Sequence, residues 1–389
     1  MDYSARNVEK NLKRWPGVKQ YSDFREMMDK SGNDIDAVSI VVPDHSHFCA
    51  TILAMSMGKH VYVEKPLTHS FQEAELLMRA EKKFKVVTQM GNQGHTGTAS
   101  NQFREWVKKG VIKNVTHVDA WKGPSCFFMQ KDKRISEWPK REEQPKGMNW
   151  DLWLGPAMKR DYNPVYVPKS WRGFFDFGNG QLGDWSCHTL DGPFWALNLG
   201  MPTEVDSYVE NRINNHHFVC EKSIVTYNFP KKDERSSVKM KWYEGGFKPE
   251  IDPSWPIKEL WGGGMIMVGS KNSLITGGRP NNPRLLISDN EWEEFQNNMP
   301  EQTIPRLKWG DETPVQEWID AIKNNYLPES NFNYGADLTE MALLGTLSQR
   351  FGAKIIYDSQ NMKITNRPDI DAYIKEPARE GWEYGNSIT

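Results

Sequence analysis

Lys65 stands where a lysine can do chemistry. It belongs to Glu64-Lys65-Pro66, at the end of a β-branched run from Lys59 that reads as a buried parallel strand closed by proline. In doubly wound sheets the carboxyl ends of the strands face the ligand crevice, and a lysine is seldom buried there without a partner. The tripeptide alone leaves two readings open: a catalytic ammonium, or a surface lysine on a strand-to-helix loop. A second group lies between Gly180 and Asp191, where Asp184, His188 and Asp191 stand at i, i+4 and i+7. On a helix that spacing puts all three on one face. A carboxylate four residues from an imidazole can orient it and raise its basicity, as a general acid/base requires. The competing reading is a capping aspartate and a core histidine with its hydrogen bonds satisfied.

These groups need elements to position them. From residue 1 to about 122 the pattern alternates helix and strand. Helical segments are expected over 6–15, 23–30, 48–57, 70–82 and 98–109, and strands over 37–42, 60–63 and 85–90. Strands alternating with helices of this length imply a parallel sheet. After about Thr116 the texture changes, and residues 119–179, rich in Trp, Pro, Lys and Gly, read as long ordered loops. A helix is expected over 182–199, capped by Gly200. Strand-like segments follow at 204–209, 223–229, 237–242, 265–269, 273–276 and 284–287, close enough in sequence for a mostly antiparallel sheet. Helices over 313–324 and 336–350 close the chain before a polar tail.

Bulk properties exclude several classes. At 389 residues the chain is long for one core, so two domains are expected. The 49 Lys plus Arg and 51 Asp plus Glu are evenly spread, which argues against a nucleic-acid or polybasic membrane surface. No apolar stretch is long enough to span a bilayer. The first ten residues lack the apolar region of a secretory leader. The compartment stays open: cytoplasmic for the chain as it stands, periplasmic if an upstream leader were removed. The four cysteines, Cys49, Cys126, Cys187 and Cys220, lie far apart and read as reduced thiols. His45, His47 and Cys49 alternate, but a metal site needs further ligands, so no metal is assigned. Most of the sixteen tryptophans read as packing, with a few near a ligand.

Three motifs in order carry a resemblance. Pro43-Asp-His-Ser-His47, Val63-Glu-Lys-Pro66 and the Asp184, His188, Asp191 set resemble hallmarks of the Gfo/Idh/MocA oxidoreductases, relatives of glucose–fructose oxidoreductase and inositol dehydrogenase. The segments 89–95, 153–157 and 170–178 resemble a branch of that family common in Bacteroidetes and Planctomycetes. The similarity covers about residues 1 to 200 well and the rest loosely. It implies a fold of class α/β plus α+β: a partial Rossmann-like dinucleotide-binding domain over 1–118, then an α+β substrate and oligomerisation domain over 119–389 with a mostly antiparallel open sheet, its C-terminal helices and tail packing back. It further implies that Lys65, Asp184 and His188 are catalytic. Asp2, Pro43, His47, Glu64, Lys65, Gln89 and Asn92 match positions that line NAD or NADP, with NAD favoured. His95, Trp171 and Arg172, with Asp184 and His188, are expected on the substrate side, although Arg172 could equally brace Asp176 or the Phe174–Phe175 loop. A small sugar, cyclitol or glycoside is the expected ligand, and a homodimer or homotetramer the expected assembly.

The same resemblance exposes a departure. Family members begin with a strand, a glycine-rich turn and a helix whose N-terminus binds pyrophosphate. This chain is expected to start at or just after the second strand, short of a βαβ unit of roughly 30 residues. Gly178, Gly180 and Gly183 do spell G-x-G-x-x-G, but they follow a Phe-rich loop rather than a strand and read as the turn into the Asp184 helix. Three functions therefore compete: an NAD(P)-dependent dehydrogenase of a sugar or cyclitol secondary hydroxyl, a redox-neutral NAD-dependent glycosidase acting through a keto-sugar, and a non-catalytic carbohydrate-binding relative.

Overall fold

A computed structural model describes residues 5–124, 129–130, 133–134, 137–210, 212, 216–307, 314–386 and 388. After α1 (Ala5–Arg14), helix α2 (Phe24–Ser31) begins where the Asp23 side chain accepts from the Arg25 amide at 2.9 Å, the capping that this residue type favours. Strand β1 (Ala37–Ile40), helix α3 (His47–Ser56), strand β2 (His60–Glu64), helix α4 (Phe71–Phe84) and strand β3 (Thr88–Gly91) then form a three-stranded parallel sheet in the order β1-β2-β3. Helix α4 is opened by a capping box between Ser70 and Glu73 and closed by Lys85 in the left-handed region. Alternation along β2 sets the two faces. Val61 and Val63 join Ile52, Met55, Ala74 and Leu77 of α3 and α4 in the main core, whereas Tyr62 packs with Trp318 on the opposite face.

Helix α5 (Thr98–Lys108) leads to strand β4 (His117–Lys122), followed by a short hairpin of β5 (Met129–Gln130) and β6 (Lys133–Arg134). Next come helices α6 (Trp150–Leu154), α7 (Gly180–Thr189) and α8 (Asp191–Ala196). Strands β7 (Glu204–Val209), β8 (Ser223–Phe229), β9 (Val238–Glu244), β10 (Gly263–Val268), β11 (Ser273–Gly277) and β12 (Arg284–Leu285) follow, then helices α9 (Asp289–Asn297), α10 (Pro314–Asn324) and α11 (Phe332–Phe351). Strands β13 (Ile355–Asp358) and β14 (Lys363–Ile364) and helix α12 (Pro368–Asp371) complete the elements. The large sheet has nine strands in the order β12-β11-β10-β4-β9-β8-β7-β13-β14. All its neighbours are antiparallel except β4 and β9, which run parallel. One face carries Val118, Ala120, Tyr227, Met240, Trp242 and Met265 into the main core; the other holds a smaller cluster of Trp121, Tyr243, Ile266 and Ile275 with Leu260 and Trp255.

Helix α11 is the spine between the sheets, packing against α4 and β3 on one side and α7, β7 and β8 on the other. Its first turn is fixed by buried Glu81 of α4, whose carboxylate accepts from the Phe332 and Asn333 amides at 3.2 Å each. A carboxylate at a helix N-terminus satisfies donors that have no partner inside the helix. Farther along, the Thr339 hydroxyl accepts from the Leu67 amide at 3.1 Å and so pins the segment just after Lys65-Pro66.

Four local expectations differ from the structure. Residues 119–122, at the start of the stretch read as loops, belong to β4, a central strand of the large sheet. The helix expected over 182–199 is two helices that meet at Leu190, because Pro193 has no amide to bond the Thr189 carbonyl. The expected polar tail adds β13 and β14 to the sheet and buries Trp382 and Ile388. Helix α9, opened by a Ser288–Glu291 capping box, had no counterpart in the expected elements. Most aromatic side chains of 138–177 do pack together, around Trp150, Trp153, Tyr166, Trp171, Phe174 and Phe177.

The α11–α7 contact is tight at Gly345, where an added methyl would lie 1.9 Å from the Tyr227 hydroxyl and 2.7 Å from Leu182 Cδ2. Gly345→Ala should therefore destabilise the fold by about 1–3 kcal/mol despite the better helix propensity of alanine. Urea unfolding checks this; an unchanged or higher midpoint contradicts the packing described.

Candidate active site

The carboxyl end of β2 delivers Lys65 to the N-terminal half of α7. Lys65 is 9 % exposed, and its ammonium donates to the Asp184 carboxylate and, at 3.0 Å, to the Asp184 main-chain carbonyl. Arg172 approaches the same carboxylate, with Nε 3.4 Å from Oδ1. Burial alone would push the Asp184 carboxyl up, but Lys65 and Arg172 outweigh it and hold it below the ordinary value. Asp184 is thus an anion shared by two cations. Asp176 pairs instead with Arg160.

His188 lies one turn further along α7, nearly fully buried, with Nδ1 3.0 Å from the Gln93 carbonyl. A carbonyl can only accept, so the hydrogen sits on Nδ1 and Nε2 carries the lone pair. Burial above all, then the Lys65 charge, pushes the imidazole down to about 3, against the raising effect of Asp184. The ring is therefore neutral near pH 7. Asp191 opens α8 and is occupied by other partners. Its carboxylate meets His95 Nδ1 at 2.8 Å and the Tyr334 hydroxyl.

The other expected residues fall into distinct places. His95 is 1 % exposed and stacked on Trp195, with ring centroids 3.7 Å apart. Trp171 is buried in the aromatic cluster, its indole N–H donating to the Pro168 carbonyl at 3.1 Å, and the Arg172 guanidinium lies over its ring. Pro43 is buried at the end of β1. His47 is buried between the Pro66 and Val42 carbonyls, 2.9 Å from each, and so braces the Lys65 loop against β1. Glu64 is half-buried, and its carboxylate accepts from Gln93 at 3.3 Å. Gln89 is fully buried and donates to the Met90 carbonyl. Asn92 accepts from the Ser330 hydroxyl at 2.6 Å, while its buried Nδ2 has no hydrogen-bond partner. Asp2 lies outside the described residues.

Several neighbours were not among the expected residues. Asp44 is buried beside the pair with neither carboxylate oxygen hydrogen-bonded, and burial pushes its carboxyl up. Trp185 has its ring 5.5 Å from that of His188, and Lys122 and Arg279 lie over the indole. The Gly277-Gly278-Arg279-Pro280 turn was a visible sequence signal for a loop after a strand, but nothing local says that it reaches α7.

Comparison with known proteins gives these positions a context. Residues 3–92 match the family described as "Oxidoreductase family, NAD-binding Rossmann fold", and residues 98–231 match its "C-terminal alpha/beta domain". Over 76 residues the chain is 38% identical to scyllo-inositol 2-dehydrogenase (NAD(+)) of Bacillus subtilis, covering 19% of this chain and 22% of that protein. Over 123 residues it is 29% identical to glycosyl hydrolase family 109 protein 1 of Shewanella sp. ANA-3, covering 31% of this chain and 26% of that protein. The matched stretches thus span less than a third of either curated relative. A solved structure of levoglucosan dehydrogenase in complex with NADH and levoglucosan shares the fold, with a TM-score of 0.58 at 15% identity over 90% of this chain and 87% of the other. The two-sheet architecture is therefore that of a Rossmann-type parallel sheet followed by a mixed, mostly antiparallel one. Among the described residues no helix is long and apolar enough to cross a membrane.

The buried imidazole has a thermodynamic consequence. In the unfolded chain His188 takes up a proton near its ordinary value of 6.5, whereas the folded ring does so only near 3. The unfolded state thus binds more protons in that window, so stability present above about pH 6.5 is lost as pH falls toward 3. His188→Asn should flatten that part of the stability–pH curve, measured by denaturant unfolding at fixed pH values. An unchanged slope contradicts a neutral His188.

Proposed function

Because the chain belongs to the Gfo/Idh/MocA oxidoreductases, a family with an NAD-binding Rossmann domain, we propose that it oxidises a secondary hydroxyl of a sugar or cyclitol with NAD. The observation that carries this reading is the buried set of Lys65, Asp184 and neutral His188 at the carboxyl end of the parallel sheet, where such sheets take their ligands. The residues there suit a nicotinamide: Asn92 Nδ2 is a buried donor without a partner, and Glu64 and Lys65 supply further polar groups at the strand ends. In this reading Glu64, Lys65 and Asn92 hold the cofactor, while Pro43, His47 and Gln89 support the wall behind them. When bound, the nicotinamide accepts the hydride released from the substrate carbon. Similarity to scyllo-inositol 2-dehydrogenase (NAD(+)) of Bacillus subtilis supports NAD over NADP.

The chain's own groups manage the proton. His188 Nε2 is the acceptor for the hydroxyl proton, because Nδ1 is committed to Gln93. Proton uptake makes an imidazolium, which Asp184, one turn away, stabilises by charge. Lys65 remains hydrogen-bonded to Asp184 and presents its cation to the oxygen that develops negative charge. Arg172 holds Asp184 from the other side.

A redox-neutral glycosidase is the second reading, favoured by the similarity to the family 109 glycosyl hydrolase. Release of an aglycone without net NADH accumulation would select it over the dehydrogenase. For the leading reading, Lys65→Met and His188→Ala should each lower NAD-dependent oxidation across a sugar and cyclitol panel by at least about 10²-fold. Absorbance at the NADH band follows the reaction, and unchanged turnover in both variants would falsify the assignment.

A further inference from the structure

Asp191 and His95 form a buried pair beside the proposed base. Asp191 is 1 % exposed and opens α8, three residues after His188. His95 lies in the loop between β3 and α5, two residues after Gln93. Its Nδ1 stands 2.9 and 2.8 Å from the two Asp191 carboxylate oxygens. A carboxylate accepts, so the hydrogen sits on Nδ1. The other ring nitrogen, Nε2, is buried without a hydrogen bond, which leaves Asp191 as the ring's one polar anchor among the described residues. The imidazole also lies flat on Trp195 of α8, with ring centroids 3.7 Å apart and planes 5° from parallel. Asp191 is fixed in turn, because the Tyr334 hydroxyl of α11 donates to it. At Gly192 an added methyl would lie 2.6 Å from Phe103 Cζ, so the start of α8 sits hard against α5.

This pair ties the loop to the helix junction that carries His188. Inside the loop, the Gln93 amide donates to Gly91, the His95 amide to Asn92 and the Gly97 amide to Gly94, each at 3.2 Å. Such bonds shape the loop without fixing where it sits. Its bonds to other elements run elsewhere: the Gln93 side chain to Glu64 of β2, the Ser330 hydroxyl to Asn92, and the Ser100 hydroxyl of α5 to the Gly94 carbonyl. The Gln93 carbonyl is the group that takes the His188 Nδ1 hydrogen, at 3.0 Å. Hydrogen bonds weaken steeply as the acceptor leaves line, and the bond at one imidazole nitrogen decides which nitrogen is protonated. A free neutral histidine carries its hydrogen mostly on Nε2. The Nδ1–H form of His188 therefore has to be held, and His95 binds two residues from the carbonyl that holds it.

We infer that His95 is a positioning residue: through Asp191 it keeps the Gln93 carbonyl on His188 Nδ1, and so leaves Nε2 of the base open to substrate. Its effect is exerted through Gln93 rather than by contact with a sugar. The inference rests on the dehydrogenase reading for the role of His188. It is tested by nitrogen-15 NMR of the full chain labelled at histidine, with His188 assigned by its loss in His188→Asn. In His95→Leu most of the His188 hydrogen should move from Nδ1 to Nε2. Asp191→Asn, nearly the same size as the residue it replaces, should do the same and keeps the test available if the leucine variant does not fold. His95→Gln retains an N–H donor for Asp191 and should retain the Nδ1–H form. With NAD+ and the sugar and cyclitol panel, kcat in the first two variants should fall about tenfold or more, with KM changed less than about twofold. A His188 ring that keeps its hydrogen on Nδ1 in the folded Leu or Asn variant overturns the inference. Loss of that form in His95→Gln as well does so too, since the stacking ring rather than the bond would then be what counts. The tautomer is read without substrate or NAD, so the two readings fail separately. A shifted tautomer with no sugar oxidation by the wild type sinks the dehydrogenase reading and leaves the positioning standing; an unshifted tautomer with wild-type NAD reduction does the reverse.

Discussion

The Lys65–Asp184 ion pair is the constraint on which the rest of this structure depends. Both side chains are about nine-tenths buried, and removing two charges from water costs several kcal/mol per ion unless geometry and further hydrogen bonds offset it. Here the compensation is visible. Lys65 also donates to the Asp184 carbonyl, and Arg172 adds a second cation to the carboxylate. The pair joins the end of the parallel sheet to α7, which packs on the large sheet, so the two sheets must hold a narrow relative placement. Helix α11 supplies it, gripping α4 and β3 with one side and α7 and β8 with the other. His47 and Thr339 then fix the segment that carries the lysine.

The lysine of that pair joins burial in setting the state of the imidazole. His188 sits in a dry setting beside a cation, so its neutral form is favoured, and the Gln93 carbonyl decides which nitrogen bears the hydrogen. A neutral base and a nearby paired carboxylate have opposite protonation demands, and the environment meets both. Burial without a dominant cation gives another outcome at Asp44, whose carboxyl is pushed up rather than down. In the proposed reading this separation is what lets one site accept a proton and stabilise the resulting charge.

Much of this was legible in the chain, for local reasons. The strand ending in Glu64-Lys65-Pro66 is a short buried run with a proline stop, and α4 announces itself through Ser70 and Glu73. The i, i+4 pair of Asp184 and His188 needs only one helix to work. Asp191 looked equivalent by spacing, but its carboxylate is taken by His95 and Tyr334, partners remote in sequence. The missed features are long-range. Strand β4 lies in a stretch whose Trp, Pro and Gly content masks its alternation, and its role comes from pairing with β9 and β10. Glu81 caps a helix some 250 positions later, and Arg279 reaches α7 through a turn whose partners are remote in sequence. No local pattern encodes such contacts.

His188 is held neutral by its burial and the Lys65 charge, with Nδ1 protonated toward the Gln93 carbonyl and Nε2 open as a base. Nitrogen-15 NMR of the full chain labelled at histidine tests it most directly, comparing wild type with His188→Asn to assign the ring. A neutral Nδ1–H tautomer is expected, with no titration between about pH 5 and 8, the range in which an unperturbed histidine changes charge. A His188 signal that titrates near 6.5, or one bearing its hydrogen on Nε2, would contradict it.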